Sequence, residues 1–311
     1  MRLVALCVAC LTWGCATVET PAPKLVVLGV AQDAGVPQAA CTSANCEAAR
    51  NDSRRSYRVA SLLLAGADAS LHLVDATPDL VPQLDVAIAV GQQLGRTEVP
   101  RRPVDGVLLT HGHMGHYLGL AHFGFEAAHT QGIRAYGTES MTSFLASNAP
   151  WNQLVRLHNV ELEPVEPGAT LALGGIKVTP LSVPHRGEYT DTVAYRFEGP
   201  TQTVLYIPDT DPWKRWASPP EPMFEGVDLA LLDGTFYSGE ELPGRDLSKI
   251  GHPFIVDTMD RFQSAVDAGE LNVTFIHLNH SNPALDRKSA QARAIESRGY
   301  SVARRGDEIR L

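Results

Sequence analysis

Three histidines within six residues constrain this chain more than any other feature of its sequence. An apolar run at 104–110 predicts a buried strand, and it leads into a loop that carries His111, His113 and His116. Two residues apart on an extended strand end, His111 and His113 point to the same side, and Gly115 eases the turn that brings His116 alongside. Because neutral imidazole nitrogens suit zinc and iron, the cluster predicts a metal site at a strand end.

Further metal-ligating side chains follow later predicted strands. His185 comes directly after one strand, and Asp209 after another, with Asp211 as a reserve for the same role. His277 falls at the end of a third strand, and His280 lies one turn further on. We expect one of these two histidines to bind metal and the other to act as an acid or base.

Three more polar residues fall in loops that reach the same end of the fold. Asp233 either orients a ligand from behind or is a plain turn aspartate. His252, in a Gly-His-Pro loop, is expected to enter the pocket from its side. Tyr237 is a candidate, together with His280, for stabilising a charged intermediate or protonating a leaving group.

The N-terminus has the pattern of an export signal. One positive charge and a short apolar run precede Gly14 and Cys15, and the run is shorter than the ~20 residues of a membrane-spanning helix. The Gly14-Cys15 pair resembles a bacterial lipobox, although Thr12 stands where leucine is typical. We therefore expect 1–14 to be a lipoprotein signal peptide, with a plain signal peptide as the alternative, and 15–24 to be a tether. A lipid on Cys15 would then be the protein's one contact with a membrane, in the periplasm or at the outer membrane.

Composition and charge narrow the range of functions. Hydrophobic residues make up 44% of the 311 residues and the formal net charge is −9. This composition is typical of a globular protein, and the acidic charge argues against nucleic-acid binding, which needs clustered Lys and Arg. After the tether, only Cys41 and Cys46 remain. In an oxidising compartment they are expected to form a disulfide, or else to contribute to a small metal site.

Apolar runs and turn residues predict an α/β fold in one domain, 25–311. Hairpins dominate and strands outnumber helices, which favours two mixed sheets in a sandwich with helices outside. The predicted strands are 25–30, 60–65, 71–75, 104–110, 132–136, 170–173, 176–183, 192–198, 203–207, 229–232 and 273–278, with a last strand pair in the tail. The predicted helices are 82–94, 118–131, 140–149, 151–157, 255–268 and 284–298, and 32–45 is predicted to be a loop.

The histidine segment resembles the His-x-His-x-Asp-His signature of the metallo-β-lactamase superfamily, with Gly115 in place of the aspartate. This resemblance implies an αββα sandwich and two metal positions that share Asp209. It implies His111, His113 and His185 at the first position, and His116 with His277 or His280 at the second. Since the carboxylate of the second position is missing, we expect one strong metal position and a second that is weak, rebuilt from other residues or absent.

A closer resemblance covers almost the whole chain after the tether. The segments 33–38, 74–80, 252–254 and 275–283, together with the cysteine pair, resemble the branch of this superfamily named for protein B of pyrroloquinoline quinone biosynthesis (PqqB). That branch implies a non-haem iron hydroxylase with two histidines and one carboxylate. It keeps the Asp-His end of the signature and lacks the two leading histidines, whereas this chain has the reverse. The fold is therefore expected to carry over, and the role in cofactor assembly is not.

The primary functional hypothesis is metal-assisted hydrolysis of a small molecule. Zinc is the expected metal and Fe²⁺ the alternative. A bound zinc ion lowers the pKa of its water from 15.7 to about 7, which allows attack on an ester, lactone, amide or phosphodiester at neutral pH. The alternative hypotheses are a PqqB-like non-haem iron oxygenase and a non-catalytic metal- or ligand-binding lipoprotein.

Overall fold

The structure is a computed structural model and describes residues 21–311. The predicted signal peptide at 1–14 and the predicted lipid site Cys15 lie outside these residues. Of the predicted tether, Lys24 already belongs to the first strand. No helix within 21–311 is both long enough and apolar enough to cross a membrane.

The first sheet has seven strands, which are antiparallel on one side and parallel on the other. Its order is β14-β1-β2-β3-β4-β5-β6, with antiparallel pairs as far as β3 and parallel pairs from β3 to β6. The strands are β1 (Lys24–Gly29), β2 (Ser61–Ala65), β3 (Leu71–Val74), β4 (Gly106–Leu108), β5 (Ile133–Gly137), β6 (Val160–Pro164) and β14 (Glu308–Arg310).

The second sheet repeats this plan. Its order is β13-β12-β11-β10-β9-β8-β7, with parallel pairs from β13 to β10 and antiparallel pairs from β10 to β7. The strands are β7 (Leu171–Leu173), β8 (Ile176–Ser182), β9 (Val193–Glu198), β10 (Thr203–Ile207), β11 (Leu229–Asp233), β12 (Asn272–Ile276) and β13 (Ser301–Val302). Two mixed sheets with helices outside confirm the predicted sandwich.

The α-helices cover the outer faces of the sandwich. Apolar residues of α2, α4 and α5 pack on the first sheet, and those of α6 and α7 pack on the second. The helices are α1 (Ala44–Asn51), α2 (Leu80–Gln93), α3 (Met114–Tyr117), α4 (Glu139–Ser147), α5 (Trp151–Arg156), α6 (Ile255–Asp267) and α7 (Ala290–Ser297).

Alternation along the strands divides the core into layers. In β10, Val204 and Tyr206 face the other sheet, whereas Leu205 and Ile207 face the outer helices. Successive side chains of a strand point to opposite faces, so a strand covered on both sides must be apolar at every position. This is why the central strands read as continuous apolar runs in the sequence.

Two predicted helices differ from the structure. Only 118–123 of the predicted helix 118–131 is helical, as a 3-10 turn. The turn ends at Gly124, whose backbone is extended, and glycine is a poor residue inside a helix. The predicted helix 284–298 begins at Ala290, because the side chain of Ser289 accepts a hydrogen bond from the Ala292 N–H and caps it there.

Other predictions missed elements or paired them wrongly. The two tail strands do not form a pair, since β13 lies beside β12 and β14 beside β1 in the other sheet. The sequence analysis missed β6, whose residues are mostly polar or exposed. It also assigned the start of α1 to a loop, because this helix is short and buries only Cys46 and Ala49.

Candidate metal centre

The functional side chains gather at one edge of the sandwich, where strands of both sheets end. Strand β4 leads into the histidine cluster, β8 into His185, β10 into Asp209, and β12 into His277; β11 ends at Asp233. Strand β8 runs in the same direction as β10, since β9 between them is antiparallel to both. The carboxyl ends of these strands therefore meet, and this brings residues far apart in the sequence together.

The first group of potential ligands is His111, His113, His185 and Asp209, each offering one atom within 4.8 Å of the others. His111 Nε2 lies 2.9 Å from His113 Nδ1 and 3.4 Å from Asp209 Oδ2. Asp209 Oδ1 lies 3.2 Å from His185 Nε2. Tetrahedral zinc with bonds of 2.0–2.1 Å separates its ligands by about 3.3–3.4 Å, so the set has the spacing that zinc needs.

The second group is Asp33, His116 and His277, again with donor atoms within 4.8 Å of one another. His116 Nε2 lies 3.7 Å from Asp33 Oδ1 and 3.8 Å from Asp209 Oδ2. His277 Nε2 lies 3.9 Å from the same Asp209 oxygen. Asp209 therefore stands between the two groups, and the second has a carboxylate of its own in Asp33.

The third group places His252 between two carboxylates. Its Nδ1 lies 3.0 Å from Asp233 Oδ2 and 3.0 Å from Asp209 Oδ1. Burial lowers the pKa of His252, but Asp233 and Asp209 outweigh burial and hold it well above its usual value. The two carboxylates therefore favour the protonated form of His252, which lies beside the other two groups.

A buried network behind the histidine cluster fixes which ring nitrogens carry hydrogen. Asp75 is fully buried and its Oδ2 lies 2.7 Å from His116 Nδ1. The Thr110 hydroxyl donates to Asp75 and lies 3.0 Å from His111 Nδ1. Because a carboxylate only accepts, both Nδ1 atoms carry the hydrogen. In the neutral rings, the Nε2 atoms of His111 and His116 therefore hold the lone pairs, directed into the centre.

A second network of the same kind stands behind His277. The Thr235 hydroxyl donates to Asp233 Oδ1 at 2.7 Å and lies 3.1 Å from His277 Nδ1, so His277 Nε2 is also a lone pair. On the rim, Glu188 lies 2.8 Å from His113 Nε2 and leaves His113 Nδ1 as the acceptor. His111 Nε2 and His113 Nδ1 thus face each other as lone pairs, an arrangement that a shared cation stabilises.

Unpartnered polar atoms test whether these residues fit a metal. Buried polar groups are nearly always hydrogen-bonded. Several potential metal-ligating atoms of the first two groups nevertheless have no hydrogen-bond partner within 21–311. They are Asp33 Oδ1, His116 Nε2, both nitrogens of His185 and His277 Nε2. All are nitrogen or carboxylate oxygen, the ligand types of zinc and non-haem iron, so the residues fit a metal ion.

The charge states of three histidines agree with this fit. Burial lowers the pKa of His111, His113 and His277, which favours the neutral rings that bind metal. His116 differs, because Asp75 outweighs burial and raises its pKa to about 9, so a metal at this ring has to displace the proton on Nε2. Burial raises the pKa of Asp209, whereas His185, His252 and His277 outweigh it and hold the value well below its usual range.

The structure separates the alternatives at several predicted site residues. Asp209 belongs to the first group, whereas Asp211 lies outside all three and its Oδ1 is 3.8 Å from His185 Nδ1. His277 belongs to the second group, whereas His280 is outside all three and its carbonyl accepts from Asn45. The geometry thus favours Asp209 and His277 as ligands over their neighbours.

Tyr237 and the cysteine pair lie apart from the potential ligands. Tyr237 packs against the core of the second sheet, and no hydrogen bond joins its hydroxyl to the three groups in the described part of the chain. Cys41 and Cys46 form a disulfide with Cα atoms 6.0 Å apart, which decides between the two alternatives for this pair.

The sequence analysis gave no site role to Asp33, Asp75, Thr110, Thr235 or Glu188. Asp33 and Asp75 occur within the segments that resemble relatives, and Thr110 directly precedes the first histidine. These positions were the only features of the sequence that could have indicated a role in the site. Their roles depend on which strands are neighbours, and spacing in the sequence does not contain that information.

Comparison with known proteins agrees with the fold and the centre. A family model for the beta-lactamase superfamily domain matches residues 72–278. The chain belongs to this superfamily. The match spans the histidine cluster, His185, Asp209 and His277. It therefore includes every potential ligand of the first and second groups except Asp33. The predicted metallo-β-lactamase fold is thereby confirmed.

Within the superfamily, the similarity to PqqB proteins extends over nearly the full length. The chain is 27% identical to Coenzyme PQQ synthesis protein B of Rhodopseudomonas palustris, across 93% of this chain and 99% of that protein. Zn²⁺-bound PqqB from Methylobacterium extorquens superposes with a TM-score of 0.77 at 23% identity, covering 93% of this chain and 100% of that one. A diphosphatase of the PhnP family superposes with a TM-score of 0.62 at 22% identity, covering 93% and 97%.

Proposed function

We propose that the protein is a metal-dependent hydrolase with zinc bound by His111, His113, His185 and Asp209. The observation that supports this most strongly is the 2.9 Å separation of His111 Nε2 and His113 Nδ1, since the other nitrogens of the two rings face Thr110 and Glu188 and we infer that both facing atoms are lone pairs. Without a cation, two lone pairs at this distance repel each other. A zinc ion there would supply an activated water, with its pKa lowered from 15.7 to about 7.

The chain's own residues provide orientation and a proton. Asp75 and Thr110 hold the cluster from behind, and Glu188 holds His113 from the rim. Asp209 and Asp233 both face the Nδ1 of His252 and raise its pKa, which favours the protonated ring. We infer that His252 donates the proton to the leaving group. It lies next to the ligands, whereas the earlier candidates His280 and Tyr237 lie outside the three groups.

The proposed substrate is a small molecule with an ester, lactone, amide or phosphodiester bond. An overall charge of −9 argues against a nucleic-acid substrate. We also propose that the protein works outside the cytoplasm, in the periplasm or at the outer membrane. The disulfide of Cys41 and Cys46 supports this location, since such bonds persist in oxidising compartments.

The proposal is tested by metal content and turnover together. Protein purified without added metal is analysed for zinc and iron, and then assayed on a panel of esters, lactones, amides and phosphodiesters with zinc or with chelator. His113→Ala removes a first-group ligand, and we expect it to lower turnover at least ~100-fold, since even outer partners of ligands are worth 10–100-fold. His122→Ala, at an exposed histidine away from the three groups, is the matched control.

The results distinguish the hypotheses clearly. Zinc-dependent cleavage that is lost in His113→Ala and kept in His122→Ala supports hydrolysis. Full activity in His113→Ala would contradict the proposed role of the first group. Tight metal binding without turnover of any panel member would instead favour a non-catalytic binding protein.

An iron oxygenase is the second candidate, and one observation favours it. Asp33, His116 and His277 form a set of two histidines and one carboxylate, the ligand type of non-haem Fe(II) oxygenases. Oxygen uptake on adding ferrous iron, retained in His113→Ala and lost in His277→Ala, would support this candidate over hydrolysis.

A further inference from the structure

The glycine within the histidine cluster is not required by its backbone conformation. Gly115 lies in the short helix α3 and is not among the glycines of 21–311 with positive φ. Glycine is also a poor residue inside a helix, because it loses more conformational freedom on folding than other residues do. A different constraint must therefore select it, and the constraint is space.

The space beside Gly115 is occupied by Asp33. A Cβ added at Gly115 would lie 2.3 Å from Asp33 Oδ1 and 2.5 Å from Asp33 Cα. No side chain at 115 is compatible with such distances unless the turn that carries Asp33 moves. The turn thus fills the position from which a carboxylate at 115 would extend, and it brings a carboxylate with it.

Backbone hydrogen bonds hold the Asp33 turn in place next to His277. The Gln32 N–H donates to the Leu278 carbonyl at 2.9 Å, and the Leu278 N–H donates to the Val30 carbonyl at 2.8 Å. A further bond, from the Gly35 N–H to the Gln32 carbonyl at 2.9 Å, closes the turn. The turn is therefore fixed to the end of β12, immediately after the histidine of the second group.

The carboxylate of Asp33 lies within ion-pair distance of His116 but makes no hydrogen bond with it. Asp33 Oδ1 is buried and has no hydrogen-bond partner within 21–311, and its distance of 3.7 Å to His116 Nε2 is too long for a hydrogen bond. His116 Nε2 and His277 Nε2 are likewise buried without partners in this part of the chain. Three such atoms facing one another without hydrogen-bond partners indicate a binding site for a cation between them.

We propose that Asp33 is a relocated carboxylate ligand that replaces the missing aspartate at 115 and completes a second metal position with His116, His277 and the shared Asp209. Gly115 is glycine because the incoming turn needs its space. This inference rests on the proposal that the site is a metal centre, and it concerns only the second position.

The test is the number of zinc ions bound per chain, measured by mass spectrometry of protein equilibrated with zinc and freed of excess. Asp33→Asn keeps the size of the side chain and removes its charge. We expect about two zinc ions in the wild type and about one in Asp33→Asn, with affinity at the second position reduced at least ~100-fold, the upper range for losing an outer partner of a ligand. Asp85→Asn, at an exposed carboxylate on α2, is the control and should keep two.

A second variant displaces the Asp33 carboxylate without altering its chemistry. Gly115→Ala inserts a methyl group where the Asp33 turn lies, so we expect it also to lose the second zinc while the first stays bound. Circular dichroism in chelator confirms that both variants are folded, and the retained first zinc is an independent sign of an intact site.

Each outcome bears on a specific claim. Two zinc ions retained in both variants would show that Asp33 is no ligand. One zinc ion in the wild type would overturn the second position and leave the proposed hydrolase intact. No zinc or other metal in the wild type would overturn the metal centre itself, and with it the proposed function.

Discussion

Replacing Asp75 with asparagine tests whether one buried carboxylate determines the metal-binding form of His116. Asp75 Oδ1 accepts the Thr110 N–H at 2.8 Å, and Oδ2 lies 2.7 Å from His116 Nδ1. Asparagine fits the same space, but with its oxygen kept by the Thr110 N–H it presents an NH₂ group to Nδ1. The ring hydrogen of His116 then belongs on Nε2, which is the atom directed at the second metal position.

The expected loss follows from this change of tautomer. Removing the partner of a metal-binding histidine typically costs 10–100-fold in affinity, or about 1.4–2.7 kcal/mol at 1.36 kcal/mol for each factor of ten. The loss should fall on the second zinc. The first is held by His111, His113 and His185. The oxygen that asparagine keeps still accepts the Thr110 hydroxyl, so the tautomer of His111 is preserved.

Competition with a chromophoric chelator measures the two affinities separately, and nitrogen-15 NMR of the histidine rings reports the tautomer of His116. The control is again Asp85→Asn, which removes a carboxylate at an exposed position. An unchanged second affinity in Asp75→Asn, or an equal loss at both positions, would refute the argument from tautomers.

Three further predictions concern stability, measured by urea unfolding. Burial lowers the pKa of His72 from 6.5 to about 4, so only the unfolded chain takes up this proton in that range; stability should fall by about 3 kcal/mol from pH 6.5 to 4, and His72→Gln should flatten the profile. Replacing Cys41 and Cys46 by serine should cost about 2 kcal/mol, because their separation of five residues closes a short loop; an unchanged midpoint would count against this. Tyr195→Phe should cost about 1–3 kcal/mol, because the hydroxyl donates to the buried Leu109 carbonyl at 2.8 Å.

Much of the sandwich could be predicted because its strands are apolar on both faces. Runs such as those in β2 and β10 are buried at nearly every position, and no other element of this length needs that composition. β6 escaped prediction because two of its five residues are glutamates and only one is buried. The order of strands could not be predicted from the sequence, since β14 pairs with β1 although the two strands are the last and the first of the described residues.

The candidate site likewise contains residues that could be predicted from the sequence and residues that could not. His111, His113 and His116 could be predicted from spacing, because one strand end and one turn place all three. Asp33 could not, because its position is set by hydrogen bonds between the segment after β1 and the segment after β12. The substitution at Gly115 could be seen in the sequence, but its cause is a contact across the fold.

The position of Asp33 next to His277 has a consequence for when the centre can form. The second group joins Asp33, near the start of the domain, to His277, near its end, so the centre cannot be completed until most of the chain has been synthesised and both sheets have formed. Folds with such long-range contacts form slowly, and free ligands in the unfolded chain bind metal poorly because the site is not preformed. A metal at the proposed centre would therefore be acquired late in folding. Its identity would then depend on the ions of the compartment in which folding ends.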